Sequence, residues 1–381
     1  VMKKVIFISA LAIAAAVSCN KSEIVDTKFN EQISFETYTG RDAMTKATPY
    51  GQEALPADMG LYGFYTGASP WSETIEPNLW DNAQVTQASG WAPSEKKYWT
   101  NEEDKYTFLA YAPYATGAEG NGLVAVTGAD PKVTYTVPTA IAPQVDLLYA
   151  NTPAAEGGHI DMVKPSNNTV ALNFAHALSR ITVKASEAES AYNYTVYGLE
   201  LSGNFVKTKT FDIEDGEWIV DETNYPTTPE AAPYVIKQYT EGANDGVLVP
   251  DTRTGAVEEG QTPNTPYDFA GANNYLMVIP VDFTGEETTT NEAGETVNTY
   301  PNAATLKVTY TTTFADFESK PMIKTVAVPT NFEQGKAYSL NLVFAPNTTN
   351  EIKFSVTVDN WTEEAGVVYP NNPENGTPEG E

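Results

Sequence analysis

Apolar and polar residues alternate with a period of two in many short runs along this chain, the spacing of half-buried β-strands. Strands are predicted over Leu61 to Thr66, Tyr106 to Tyr111, Val133 to Val137 and Asp146 to Ala150, separated by Gly, Pro and Asn clusters. In the second half, Val170, Leu172 and Phe174 fall at strand spacing, and Ile181 and Val183 resume it after a bend at Ala177-Leu178. Asp215-Gly216, between apolar arms ending in Trp218, predicts a tight hairpin turn. Leu306 to Thr312, Tyr338 to Phe344 and Ile352 to Val358 close the series. No helix-period stretch of comparable length lies among them, so the fold class expected is all-β.

The two ends read differently. Lys3 and Lys4 precede a thirteen-residue apolar run, Val5 to Val17, which has the layout of a secretory signal and is too short to span a bilayer as a helix. It ends Ala16-Val17-Ser18-Cys19, small residues beside the only cysteine of the chain. Cleavage between Ser18 and Cys19, with Cys19 lipidated as the mature N-terminus, is therefore expected. A diacylglycerol plus an N-acyl chain exceeds the two anchors that stable membrane attachment needs. Ser22-Glu23 reads as a surface-export signal. From Lys21 to Pro49 the chain is polar except at Ile33 and Phe35, which alternate with Gln32, Ser34 and Glu36 and predict one isolated strand. Arg41 follows in a Gly-Arg-Asp turn. Residues 151–168, rich in Gly, Pro and Asn, are the best linker, and 370–381 form an acidic tail that cannot bury a core. The expected division is a signal peptide at 1–18, a tether and strand at 19–48, domains at 49–165 and 166–369, and the tail at 370–381.

Composition narrows the function. With 22 Lys and Arg against 50 Asp and Glu among 381 residues, the net charge is −28, and no basic cluster interrupts it. Such a surface repels phosphate backbones and anionic headgroups, which argues against nucleic-acid partners. One Cys excludes an intramolecular disulfide. Only His159 and His176 are available for triads or zinc, and no Gly-x-Ser-x-Gly turn accompanies them. His159 falls in the linker, and His176 reads as a structural histidine hydrogen-bonded to its neighbours. Asp212-Ile213-Glu214-Asp215-Gly216 invites a calcium reading, but Gly216 stands where an oxygen ligand is required, so an exposed hairpin turn is expected there. No metal site, cofactor or catalytic group is assigned. Trp71, Trp80, Trp91 and Trp99 fit either core packing or a platform for stacking sugars.

Several segments together, in order, resemble the fimbrillin family, the lipoprotein-derived subunits of type V pili in Gram-negative anaerobes. They are the signal ending at Cys19; Ile33-Ser34-Phe35 followed by Arg41 and Thr45-Lys46-Ala47-Thr48; Asp146-Leu147-Leu148-Tyr149-Ala150; Asn173-Phe174-Ala175-His176-Ala177-Leu178-Ser179-Arg180-Ile181; Gly335-Lys336-Ala337-Tyr338; and Ile352 to Trp361. The resemblance implies two transthyretin-like Greek-key β-sandwich domains in tandem, a non-enzymatic role and assembly with other pilus subunits by exchange of β-strands. It also implies passage through the outer membrane as a lipoprotein to the fimbrium, with a host or bacterial surface ligand as an open question. On that footing, cleavage after Arg41, or second after Lys46, would remove the strand carrying Ile33 and Phe35. Gly366-Val367-Val368-Tyr369 is a short apolar stretch for a donated strand, so shaft, tip and minor positions all stay open. The competing reading is a surface lipoprotein that binds glycans through exposed aromatics.

Overall fold

The structure, a computed structural model, describes residues 31–39, 57–115, 122–187, 192–219, 232–252, 265–269, 275–283, 287–290, 296–299, 303–315, 317–345 and 351–360. The all-β expectation holds: among these residues the only helical turns are two short 3₁₀ segments, Gln87–Ser89 and Ala154–Glu156. The first strands are β1 (Ser34–Thr39), β2 (Asp58–Gly67), β3 (Trp80–Thr86), β4 (Lys105–Ala112), β5 (Leu123–Val126), β6 (Lys132–Thr136) and β7 (Leu148–Ala150). There follow β8 (Thr169–His176), β9 (Ser179–Glu187), β10 (Asn193–Ser202), β11 (Thr208–Asp212), β12 (Glu217–Trp218), β13 (Tyr234–Lys237) and β14 (Val247–Leu248). After these come β15 (Tyr267–Asp268), β16 (Leu276–Val278), β17 (Glu287–Thr290), β18 (Thr296–Thr299) and β19 (Ala304–Phe314). Last are β20 (Phe317–Glu318), β21 (Met322–Val328), β22 (Lys336–Ala345) and β23 (Glu351–Asn360).

One sheet has the order β1-β8-β7-β4-β2-β3, with β1 parallel to β8 and every other pair antiparallel. Strand β4 is apolar on both faces, which explains its unbroken run. Tyr106, Phe108, Ala110 and Ala112 enter a core cluster on one side, and Leu109 and Tyr111 enter a larger one on the other. A second sheet centres on β10 and β19, carrying β13 and β14 on one side and β20 and β21 on the other. A third runs β12-β11-β6-β5, and a fourth places β15 and β16 on β9, then β22 and β23, with β9 and β22 parallel. Strands β17 and β18 form a separate hairpin.

Strand pairing runs across residues 151–168, and the segment itself bonds to β4: Met162 and Tyr106 exchange backbone hydrogen bonds, and the Phe108 amide donates to the His159 carbonyl. Strand β8 completes the first sheet, β6 pairs with β11, and His159 within the segment is fully buried. The polar and Gly-rich composition there serves tight backbone turns: a Cβ on Gly158 would stand 2.1 Å from the Thr152 carbonyl oxygen. The hairpin after β11 differs in detail from the tight turn expected. Asp212 pairs with Glu217, so four residues form the loop, and only Gly216 takes a left-handed conformation, at φ 70°.

Candidate functional site

The strand expected to stand alone is inlaid in the first sheet. Strand β1 lies parallel along β8, with Phe35 opposite Val170 and Thr37 opposite Leu172. Its period-two pattern sets Ile33, Phe35 and Thr37 inward, and all three are buried. Phe35 meets the Phe108 ring edge-on at 5.3 Å and the Trp80 ring at 5.8 Å. Backbone bonds fix the start of the strand on its other side. The Ile33 amide donates to the Lys97 carbonyl (3.0 Å), and the Trp99 amide donates to the Glu31 carbonyl (3.1 Å). The Trp99 indole and the Ser34 amide both donate to the Asn168 carbonyl, at 3.3 and 3.4 Å. Glu31, in phase with Ile33 and Phe35, forms an ion pair with Lys164 at 2.7 Å. That ammonium holds the Glu31 carboxyl below the usual carboxylate range.

Beyond β1, therefore, the seat is walled by aromatic and aliphatic side chains of β3, β4 and β8 and by Trp99. Burying Ile33 and Phe35 in it contributes roughly 1.5–3 kcal/mol per side chain. Nothing in the local sequence points to Lys97, Trp99, Lys164 or Asn168 as partners of β1, because they lie far along the chain. The only visible signal is that Glu31 falls in phase with the two anchors. Ser18, Cys19, Arg41 and Lys46 lie outside the described residues, as does the tail at 370–381.

A second constellation gathers three of the segments singled out in the sequence. Between β8 and β9 the chain crosses from the first sheet to the fourth through Ala177 and Leu178. Four hydrogen bonds hold this crossing. The Ala177 amide donates to the Leu147 carbonyl (2.8 Å), and its own carbonyl accepts from the Trp218 indole (2.6 Å). The Leu178 carbonyl accepts from the Gly335 amide (3.0 Å), and the Ser179 hydroxyl donates to the Glu333 carbonyl (2.7 Å). His176 Nδ1 lies 2.7 Å from Asp146 Oδ2. The His–Asp pair thus sits in a hydrogen-bonded clamp that ties β7, β9 and the start of β22 together. That is the structural reading of His176 that its sequence context suggested.

His159 donates from Nδ1 to the Phe108 carbonyl, and among the described residues its Nε2 has no hydrogen-bond partner. Burial pushes this imidazole down to about 4. Glu214, in the acidic hairpin, is pushed up to about 7, first by burial and then by the charges of Glu73, Asp215, Asp212 and Asp130. Asp212 is ion-paired with Lys132 at 3.0 Å and caps the Glu214 and Asp215 amides (3.1 and 3.2 Å). Among the described residues no group of three or more metal-capable side chains is gathered. Trp80, Trp91 and Trp99 are buried, and Trp71 packs on Phe64 at 5.2 Å. Three of these four rings are core and Trp71 is half-buried against the larger cluster, so the four form no exposed stacking platform.

What these features define is an all-β protein whose first described strand is laid into an apolar seat on its first sheet. The sequence profile of the family described as fimbrillin-like matches residues 45–361, and the chain belongs to that family. It is 23% identical to the fimbrium subunit Fim1C of Phocaeicola vulgatus, over 96% of this chain and 97% of that one. A crystal structure of a fimbrial protein from Bacteroides vulgatus shares the fold, with a TM-score of 0.64 at 20% identity, covering 87% of this chain and all of the other.

Proposed function

We propose that the chain is a structural or adhesive subunit of a cell-surface pilus that assembles with other subunits by β-strand exchange. In this reading it is exported through the outer membrane as a lipoprotein. The signal is cut between Ser18 and Cys19, Cys19 carries the lipid, and cleavage after Arg41, or failing that Lys46, frees β1. The supporting observation is the seat of β1: a strand at the edge of a sheet, paired along β8, bonded at its start to residues 97–99 and anchored by Ile33 and Phe35. Removing it uncovers apolar surface and the unpaired edge of β8, a template that a strand of another subunit can occupy. Family membership and the likeness to a fimbrium subunit along nearly the full length support the same reading.

Residues 20–381 and 42–381, purified side by side, test it by size exclusion and electron microscopy. The shorter form is expected to assemble into ladders that resist mild detergent, and the longer one to remain monomeric until cut. A shorter form that stays a stable monomer and accepts no strand would overturn strand exchange. Replacing Cys19 by Ser is expected to abolish labelling with radioactive palmitate, and continued labelling would remove Cys19 from its role.

A further inference from the structure

We infer that Lys164 is a specificity-determining residue of the β1 seat, selecting a strand that carries a carboxylate two residues ahead of its first apolar anchor. This rests on the reading that the seat accepts a second strand after β1 leaves. The resident segment sets Ile33, Phe35 and Thr37 inward, and Glu31, two residues ahead of the first of them, meets Lys164 at 2.7 Å on the exposed side. The lysine side chain is only 8% exposed, while the glutamate is 44% exposed. Lys164 is thus held at the mouth of the groove, and the carboxylate reaches it from the solvent side.

In a chain of net charge −28 an acidic strand is repelled at long range. At the seat the Lys164 ammonium, paired with Glu31, works against that repulsion locally, so an acidic residue is favoured at this position and a basic one is opposed. The apolar sites of Ile33 and Phe35 supply affinity without choosing among hydrophobic strands. The charge at the mouth fixes register and partner, since a strand slipped by one residue would turn its carboxylate away from Lys164.

The test uses the soluble chain, residues 20–381, cut after Arg41 by limited trypsin treatment. Fluorescein-labelled peptides of residues 29–39 are offered to it in three forms: unaltered, Glu31→Gln and Glu31→Lys. The unaltered peptide is expected to bind tightest and Glu31→Lys about tenfold more weakly. On Lys164→Glu protein the order should invert, and on Lys164→Gln it should flatten. Because three peptides are ranked on one protein, a uniform loss of stability in a variant leaves the ranking readable. If the peptides enter and rank alike on all three proteins, the role of Lys164 is overturned while strand exchange stands. If no peptide displaces the resident strand from any of them, strand exchange itself fails and this inference with it.

Discussion

His159 shows how much a single side chain can depend on its surroundings. Its Nδ1 donates to the Phe108 carbonyl while its Nε2 is enclosed without a partner among the described residues, so the neutral ring fits the site and the charged ring does not. Its folded value of about 4 lies below the ordinary 6.5, so between these values the unfolded chain takes up a proton that the folded chain refuses. Stability is therefore expected to fall as pH drops from 6.5 to 4, by on the order of 3 kcal/mol from this residue. Glu214 acts in the opposite sense, since its raised value lets the folded chain hold a proton below about pH 7. Urea unfolding of the wild type and of His159→Gln across this range separates the two. The variant should be less stable at pH 7 and lose the acid-side decline attributable to His159. An unchanged slope would contradict the assignment. Nothing near His159 in the sequence announced its burial. Its Gly157-Gly158 neighbours suggest a loose turn, whereas Gly158 is required because Thr152 leaves no room for a side chain.

At the scale of elements, legibility followed regularity. Strands β4, β8, β19 and β22 were readable because their alternation runs unbroken or their apolar residues are continuous. Ten-residue β10 is not legible in the same way because its pairing with β19 shifts register between Val196 and Gly198. The bulge throws Leu199 and Leu201 onto the phase opposite to Tyr194 and Val196, and a strict period of two no longer describes the strand. Edge strand β21 is illegible for another reason: Met322, Ile323, Val326, Ala327 and Val328 do not alternate with polar residues, and most of the strand faces solvent, so no half-buried period of two marks it. Strand β1 was legible as a strand, but its parallel partner β8 was not, because nothing local encodes a pairing across so many intervening residues. Its attachment predicts a distinctive response. Phe35→Ala removes the ring that packs on Phe108 and Trp80, a loss of roughly 3–5 kcal/mol for a buried phenylalanine. An edge strand can detach without unfolding its sheet, so the cost should fall on β1 itself. Hydrogen exchange should show the amides of residues 33–39 losing at least about 100-fold protection while those of β22 keep theirs. Equal loss in both would mean that β1 is integral to the global fold and is not a separable insert.

At the scale of the whole molecule, two core clusters gather residues from distant parts of the chain. The larger cluster joins Tyr62 and Phe64 of β2 and Leu109 and Tyr111 of β4 to Leu199 and Leu201 of β10, Leu306 and Val308 of β19, and Leu340 and Phe344 of β22. Pairing of β6 with β11 and the crossing at Ala177-Leu178, clamped by Trp218, Gly335 and Asp146, add polar ties between early and late strands. The smaller cluster, with Ile33 and Phe35 in it, lies on the opposite face of the first sheet. Length alone suggests two domains, each able to melt alone. A shared core instead makes the early and late strands depend on one another, because neither set can lose its neighbours without exposing apolar surface. Calorimetry is therefore expected to give a single main transition, with calorimetric and van't Hoff enthalpies in agreement. A substitution in the crossing, Trp218→Phe, should lower that transition as a whole, since it leaves the Ala177 carbonyl without its donor at a cost of about 1–3 kcal/mol. Two well-separated transitions, only one of them shifted by Trp218→Phe, would show that the halves fold independently and that the large cluster is an interface instead of a core.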